Sequence, residues 1–152
     1  MSAFIATGSG TPFNLTNDGW FPDIDASAAR ESLRLDGTVT DTRLESALVN
    51  AMLSVNAELA EFKADRLQQY SSLANVPAAQ INSNSRLVVL YTRAVVCTAG
   101  AELVERYRSY DTSNTGHKDA DQLNPSIDEL RRDARWAIRD LLGKRRSTVA
   151  LI

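Results

Sequence analysis

Scarcity is the first thing this chain shows. Its 152 residues include one cysteine and one histidine. A lone thiol cannot close an internal disulfide, and a domain of this length can bury most of its apolar surface without cross-links or metals. A cysteine nucleophile needs a histidine beside it. Cys97 sits among apolar residues and His117 in a polar loop, which marks Cys97 as a buried structural thiol. There is no Ser/His/Asp set, no metal-ligand cluster and no glycine-rich phosphate loop. Isolated surface carboxylates do not make an active site, so the expectation is a non-enzyme with no catalytic residues, no cofactor and no metal.

An excess of one charge is missing too. Lys and Arg number 17 against 19 Asp and Glu, a net charge of −2, which is no platform for tight nucleic-acid binding. No run of about 18 apolar residues is free of charge, so no membrane span is expected. The first residues lack the basic start and apolar core of a signal peptide, and synthesis and folding in a reducing cytoplasm are expected. With 43% hydrophobic and 24% charged residues, the composition is that of one soluble globular domain.

What is present centres on residues 86–107, RLVVLYTRAVVCTAGAELVERY, where Arg93 is the only charge between Leu87 and Ala101. A surface helix carries one apolar stripe; this segment is apolar on nearly every face. Periodicity alone leaves a buried helix and a buried strand open, and the uninterrupted length decides for a central helix. Ala94, Thr98 and Ala101 share a side with Gly100 near them, a patch that close approach of a neighbouring helix would explain.

Residues 1–19, rich in Gly, Ser, Thr and Asn, form an arm. Trp20 and Phe21 then plug the core, and a short helix capped by Asp25 or Ser27 runs to Leu35, with Leu33 and Leu35 inward and Gly37 as its stop. The next helix has Thr40 as N-cap, a Val39/Leu44 staple and a seam of Leu48, Met52, Val55, Leu59 and Phe62, reaching about Tyr70. A second stripe (Val49, Leu53, Ala60, Leu67) calls for a second apolar neighbour, and Glu58, Glu61 and Asp65 lie on the opposite side. Pro77 is placed to begin a single turn ending near Ile81. The loop from Asp111 to Gln122 has the outline of a calcium loop but puts Ser113, Thr115 and Gln122 where acids are needed.

The last helix opens with Pro125 in its first turn and a Ser126/Glu129 capping box, buries Ile127, Leu130, Ala134, Ala137, Ile138 and Leu141, and stops at Gly143. Trp136 projects away from that inner face, near the stripe of Arg132, Arg135 and Arg139, a composition common at interfaces. Folding of Trp136 back over a neighbouring loop is the other reading. Beyond Lys144, Arg145 and Arg146 the tail carries Val149, Leu151 and Ile152 and reads as an extended strand, which needs a partner for its backbone groups. Fold class is therefore all-α: about four main helices in residues 20–143, an N-terminal arm (1–19) and a strand-like C-terminal tail (144–152).

In order along the chain, residues 21–25 (FPDID), 56–59 (NAEL), 105–108 (ERYR), 127–130 (IDEL), Arg132-Asp133, Arg135-Trp136-Ala137 and Gly143-Lys144 with the apolar tail resemble the GPL family of phage head completion proteins. The resemblance runs from about Trp20 to Ile152. It implies a virion protein of the head-tail neck, made in the cytoplasm of the bacterial host, that forms a homo-oligomeric ring (a dodecamer, to match the portal) under the portal protein after DNA packaging. That ring would offer a docking surface to neck and tail-terminator proteins. The interface residues expected are Arg132, Arg135, Trp136, Arg139, Val149, Leu151 and Ile152. Glu58, Glu61 and Asp65 would face the channel and repel the packaged DNA passing through it. The rival is a small helical DNA-binding regulator using Arg132, Arg135, Arg139, Lys144, Arg145 and Arg146, which would bind duplex DNA with a steep salt dependence.

Overall fold

The structure, a computed structural model, describes residues 13–108 and 126–146. Described elements are mostly helical, with two short hairpins: β1 (Asn14–Leu15), β2 (Ile24–Asp25), α1 (Ala26–Ser32), α2 (Asp41–Glu58), α3 (Ala60–Arg66), a 3₁₀ turn (Leu73–Asn75), β3 (Gln80–Ile81), β4 (Asn84–Ser85), α4 (Arg86–Arg108) and α5 (Ile127–Leu141).

The central helix is α4. It packs most extensively against α5 and next against α2, so it lies between them. Leu87, Tyr91, Ala94, Val95, Ala99, Ala101 and Leu103 are buried. Over Arg86–Arg106 this helix is long and apolar enough to cross a membrane by length and composition alone, although Arg93 keeps the run from being free of charge. Here that composition serves coverage by neighbours on several sides. The small-residue patch does mark a close approach, but by side chains: a Cβ on Gly100 would lie 2.6 Å from Leu33 Cδ2 and 3.5 Å from Leu130 Cδ1.

The flanking helices start where their caps put them. Asp25 accepts from Ala28 N at 3.0 Å, Thr40 from Arg43 N at 3.3 Å, and Ser126 and Glu129 complete a capping box. Val39 and Leu44 are both buried, as a staple requires. Helix α5 ends in a Schellman motif: Gly143, at φ 70°, donates to Asp140 O, and Lys144 N donates to Arg139 O. Ser126 is the cap, so α5 begins at Ile127; Pro125 lies outside the described residues, as do the loop resembling a calcium site and residues 147–152.

Several boundaries differ from the sequence expectation. Helix α1 stops at Ser32 because Arg34 takes the left-handed position (φ 55°), with Leu35 N donating to Arg30 O and Arg34 N to Glu31 O; Gly37 has no part in it. The long second helix divides at Leu59 (φ −97°, ψ 9°), although Lys63 N still donates to Leu59 O, and it ends at Arg66 rather than Tyr70. In place of a turn begun by Pro77, β3 and β4 form a hairpin around Asn82 and Ser83, both at positive φ, the backbone that a two-residue hairpin turn demands. The second stripe on α2 and α3 has no neighbour among the described residues: Val49 is 38%, Leu53 65% and Leu67 51% exposed.

Residues 13–19 belong to the body, so an arm would end before them. β1 pairs with β2, Leu15 is buried, and Asn17 is the hub of a polar cluster. Asn17 Nδ2 donates to Tyr91 Oη (2.7 Å) and Pro22 O (2.9 Å), Tyr91 Oη donates to Asn56 Oδ1 (2.6 Å), and Asn56 Nδ2 donates back to Asn17 Oδ1 (3.0 Å). Phe21 stacks on Tyr91 at 4.8 Å, and Trp20 donates through Nε1 to Tyr70 O at 3.0 Å. Burial pushes the Tyr91 phenol up to about 12, with the Asn17 hydrogen bond pulling the other way and the Asp18 charge adding to the rise.

Tyr91→Phe strands two amides, and about 1–3 kcal/mol of stability should be lost in urea melts. A phenol held above its ordinary value of 10.0 stabilises the fold at lower pH, and that contribution disappears as pH climbs from 10 toward about 12. Part of the alkaline loss of stability should therefore vanish in the Phe variant; parallel alkaline curves would refute this. Arg34→Gly removes a left-handed strain of roughly 1–2 kcal/mol and should raise the melting temperature.

Candidate functional site

Two surfaces flank α5, and the helix period separates them. On its outer face Trp136 lies between two guanidiniums, with Arg132 Cζ 4.7 Å and Arg146 Cζ 4.5 Å from the ring. Such stacking is worth roughly 0.5–2 kcal/mol depending on exposure. Arg146 also donates to both carboxylate oxygens of Asp140, and Arg139 donates to Arg145 O. The Arg146 hydrogen bond holds the Asp140 carboxyl below its usual value despite a small burial cost, and the Arg146 guanidinium is held correspondingly high. Together these contacts bring residues 144–146 back along the helix that they follow and anchor the root of the C-terminal segment.

Trp136 therefore does fold back against a neighbouring segment, and that segment is the tail root. Arg132 bonds Asp133 at 3.1 Å as well as stacking on the indole. Arg135 is exposed on a different flank, with no ion-pair or hydrogen-bond partner among the described residues. The expected stripe thus splits into Arg132, Trp136 and Arg139 at the root and Arg135 apart from them. Val149, Leu151 and Ile152 lie outside the described residues.

The second surface is a groove of about 310 Å³ between the C-terminal half of α4, the end of α2 and α5. Thr98, Ala101, Ala134 and Ile138 supply its small, mostly apolar floor; Glu58, Glu102, Glu105, Arg131 and Arg135 supply its rim. Rim charges are partly matched, with Arg131 on Glu105 at 2.7 Å and Arg106 on Glu102 at 2.9 Å. Among the described residues Glu58 has no such partner. It stands at the groove, whereas Glu61 and Asp65, also without a partner among the described residues, are exposed along α3.

Cys97 is half-buried, and burial followed by the Asp133 charge raises its thiol above the ordinary value, against which Arg93 acts weakly, so a reactive thiolate is disfavoured. Among the described residues no three His, Cys, Asp or Glu side chains are grouped as metal ligands would be.

A family profile described as phage head completion protein (GPL) matches residues 15–152. The chain belongs to the GPL family of phage head completion proteins. This family is structural. The chain is 43% identical over 139 residues to the head completion/stabilization protein of Escherichia phage P2, covering 91% of this chain and 82% of the relative. It is 27% identical over 139 residues to the probable head completion/stabilization protein of Haemophilus phage HP1, covering 91% of each. No solved structure matches.

Within this GPL protein the Asp140/Arg146 clasp is the feature that residue spacing did not reveal. Its signal was Gly143: a left-handed residue after a helix turns the chain back alongside it. A carboxyl held below 3.8 keeps its clasp above that pH and loses it as pH falls through the lowered value. The indole N–H resonance of Trp136 should shift on such acidification, and Asp140→Asn should place it at the shifted position at neutral pH. A resonance indifferent to both changes would mean that Arg146 is not held there in solution.

Proposed function

We propose that this head completion protein is a structural adaptor of the virion neck. It assembles as a homo-oligomeric ring, twelve-fold to match the portal, beneath the portal protein once DNA is packaged, and presents a surface to neck and tail-terminator proteins. Family membership over residues 15–152 carries the reading. The chain's physical character supports it. A capped, well-packed helical body suits a rigid spacer, and the unmatched apolar stripe of Val49, Leu53 and Leu67 suits a protein that acts in contact with others.

The C-terminal segment with Val149, Leu151 and Ile152, and the root formed by Arg132, Trp136 and Arg139, are the contact elements in this proposal; Arg135 adds a charge on the adjoining flank. Anchoring the root costs the tail less entropy when it engages a partner, because its first residues are already ordered. Glu58, Glu61 and Asp65 would face the channel, where their negative potential keeps passing DNA from adhering. A DNA-binding regulator gains little support, since Arg132, Arg139 and Arg146 are engaged within the chain.

Deleting residues 147–152 should leave the thermal melt unchanged and abolish incorporation into filled heads; normal incorporation would remove the tail from the proposal. Native mass spectrometry of the full chain with purified portal rings should show a stoichiometric collar. Failure to bind, together with duplex-DNA binding that weakens steeply with salt, would favour the regulator instead.

A further inference from the structure

We infer that the outward face of α2 and α3 pairs with the same face of a second copy, antiparallel about a two-fold axis, in protein that has not yet joined a head. The inference goes beyond the adaptor reading and does not rest on it. A two-fold contact joins two copies and stops, whereas a cyclic ring needs a heterologous one.

The face is marked by an absence of charge. At about 100° per residue, Val49, Leu53, Ala57, Ala60, Ala64 and Leu67 fall within about 80° of one another, opposite the buried Leu44, Val55 and Phe62. Thr42 and Ser46 continue the line toward the start of α2, and every residue on it is exposed. Lys63 N donates to Leu59 O, which carries the helical spacing past the division at Leu59. For about seven turns, therefore, the side farthest from the core holds no charge, where a solvated helix puts its charges. Leu53 is 65% and Leu67 51% exposed there.

Size and charge both select a second copy as the occupant. In an antiparallel pair centred between Ser54 and Val55, Val49 meets the second copy's Ala60 and Leu53 its Ala57, so each larger side chain is set against an alanine. Toward the ends Ser46 meets Ala64 and Thr42 meets Leu67, which keeps the whole line in register with itself. A parallel pair would instead set Leu53 on Leu53 and Ala60 on Ala60, leaving gaps at the alanines. The same antiparallel register brings Arg43 beside the second copy's Asp65 on one flank and Glu45 beside its Lys63 on the other, each twice by symmetry. Arg43, Glu45 and Asp65 have no side-chain partner among the described residues, and Lys63, which holds Asp18 at 2.8 Å, has further N–H donors to give. Glu61 comes beside Asn50, and no like charges are brought together along either flank. A face about 39 Å long and 10 Å wide covers roughly 400 Å² on each copy, in the range of weak, reversible contacts, so the pair separates on dilution.

Sedimentation equilibrium of the full chain should show a monomer–dimer equilibrium. Leu53→Glu should weaken dimerisation at least tenfold without lowering the melting temperature of the dilute chain, because Leu53 is exposed. Arg43→Asp and Asp65→Arg should each weaken it, and the two together should restore it. A chain that stays monomeric at every concentration, or a dimer indifferent to Leu53→Glu, overturns the inference. In a Cys97→Ser background, Val49→Cys combined with Ala60→Cys should form an intermolecular disulfide under mild oxidation. Val49→Cys alone should not, since its two thiols stand about 17 Å apart along the antiparallel pair. Cross-linking by Val49→Cys alone would mean a parallel pair and would also overturn the inference. If Leu53→Glu blocks incorporation into filled heads while the unmodified chain never dimerises, the face belongs to another partner; the inference then fails and the adaptor reading stands.

Discussion

A helix apolar on nearly every face cannot be covered by one neighbour, and the architecture follows from that constraint. α4 takes α2 and α5 as its main neighbours and the 3₁₀ turn and β4 near its start, while Leu33 at the end of α1 reaches Gly100. Each of these elements would be marginal alone, because short helices and two-residue hairpins gain too little from their own hydrogen bonds. Burial against α4 is what stabilises them. The N-terminal segment is fastened by different means: Tyr91, from the middle of α4, holds Asn17 and Asn56 in one hydrogen-bonded cluster while Phe21 stacks on its ring. Lys63 adds an ion pair to Asp18 at 2.8 Å, but a partly exposed pair contributes little beside those contacts.

The same constraint leaves α5 with two exposed sides. Its inner residues are committed to α4, which exposes a flank toward the groove and an outer face toward the tail root. Because Gly143 reverses the chain, the root returns along the outer face and Arg146 meets Trp136 and Asp140. Residues 144–146 thus hold a defined place on that side. For a protein whose work is assembly, that directionality counts for more than any single contact energy, since exposed ion pairs and cation–π contacts are individually worth about 1 kcal/mol or less.

Local signals survived into the structure because they depend on residues within one helical turn. The caps at Asp25, Thr40 and Ser126, the Val39/Leu44 staple and the stop at Gly143 were all legible, each being a hydrogen bond or contact over at most five residues. Where a local rule is broken, the structure departs from the expectation. Arg34 occupies a left-handed position that composition assigns to glycine, so Gly37 was credited with ending α1. Asn82 and Ser83 form a turn that Pro77 was expected to supply.

The sequence by itself determined the mostly helical class, the central place of α4, most helix starts and the family, because periodicity, caps and the order of short motifs are written along the chain. Which helix faces would remain uncovered was not written there. Val49, Leu53 and Leu67 read as a buried second stripe and stand in solvent; Trp136 read either as an outward interface residue or as folded over a neighbouring loop, and it packs with Arg146 of the tail root; Glu58 read as one of three alike and alone of the three borders the groove. Only the tertiary structure could decide these, because coverage of a face depends on which distant element packs against it, and local spacing records only that the face exists.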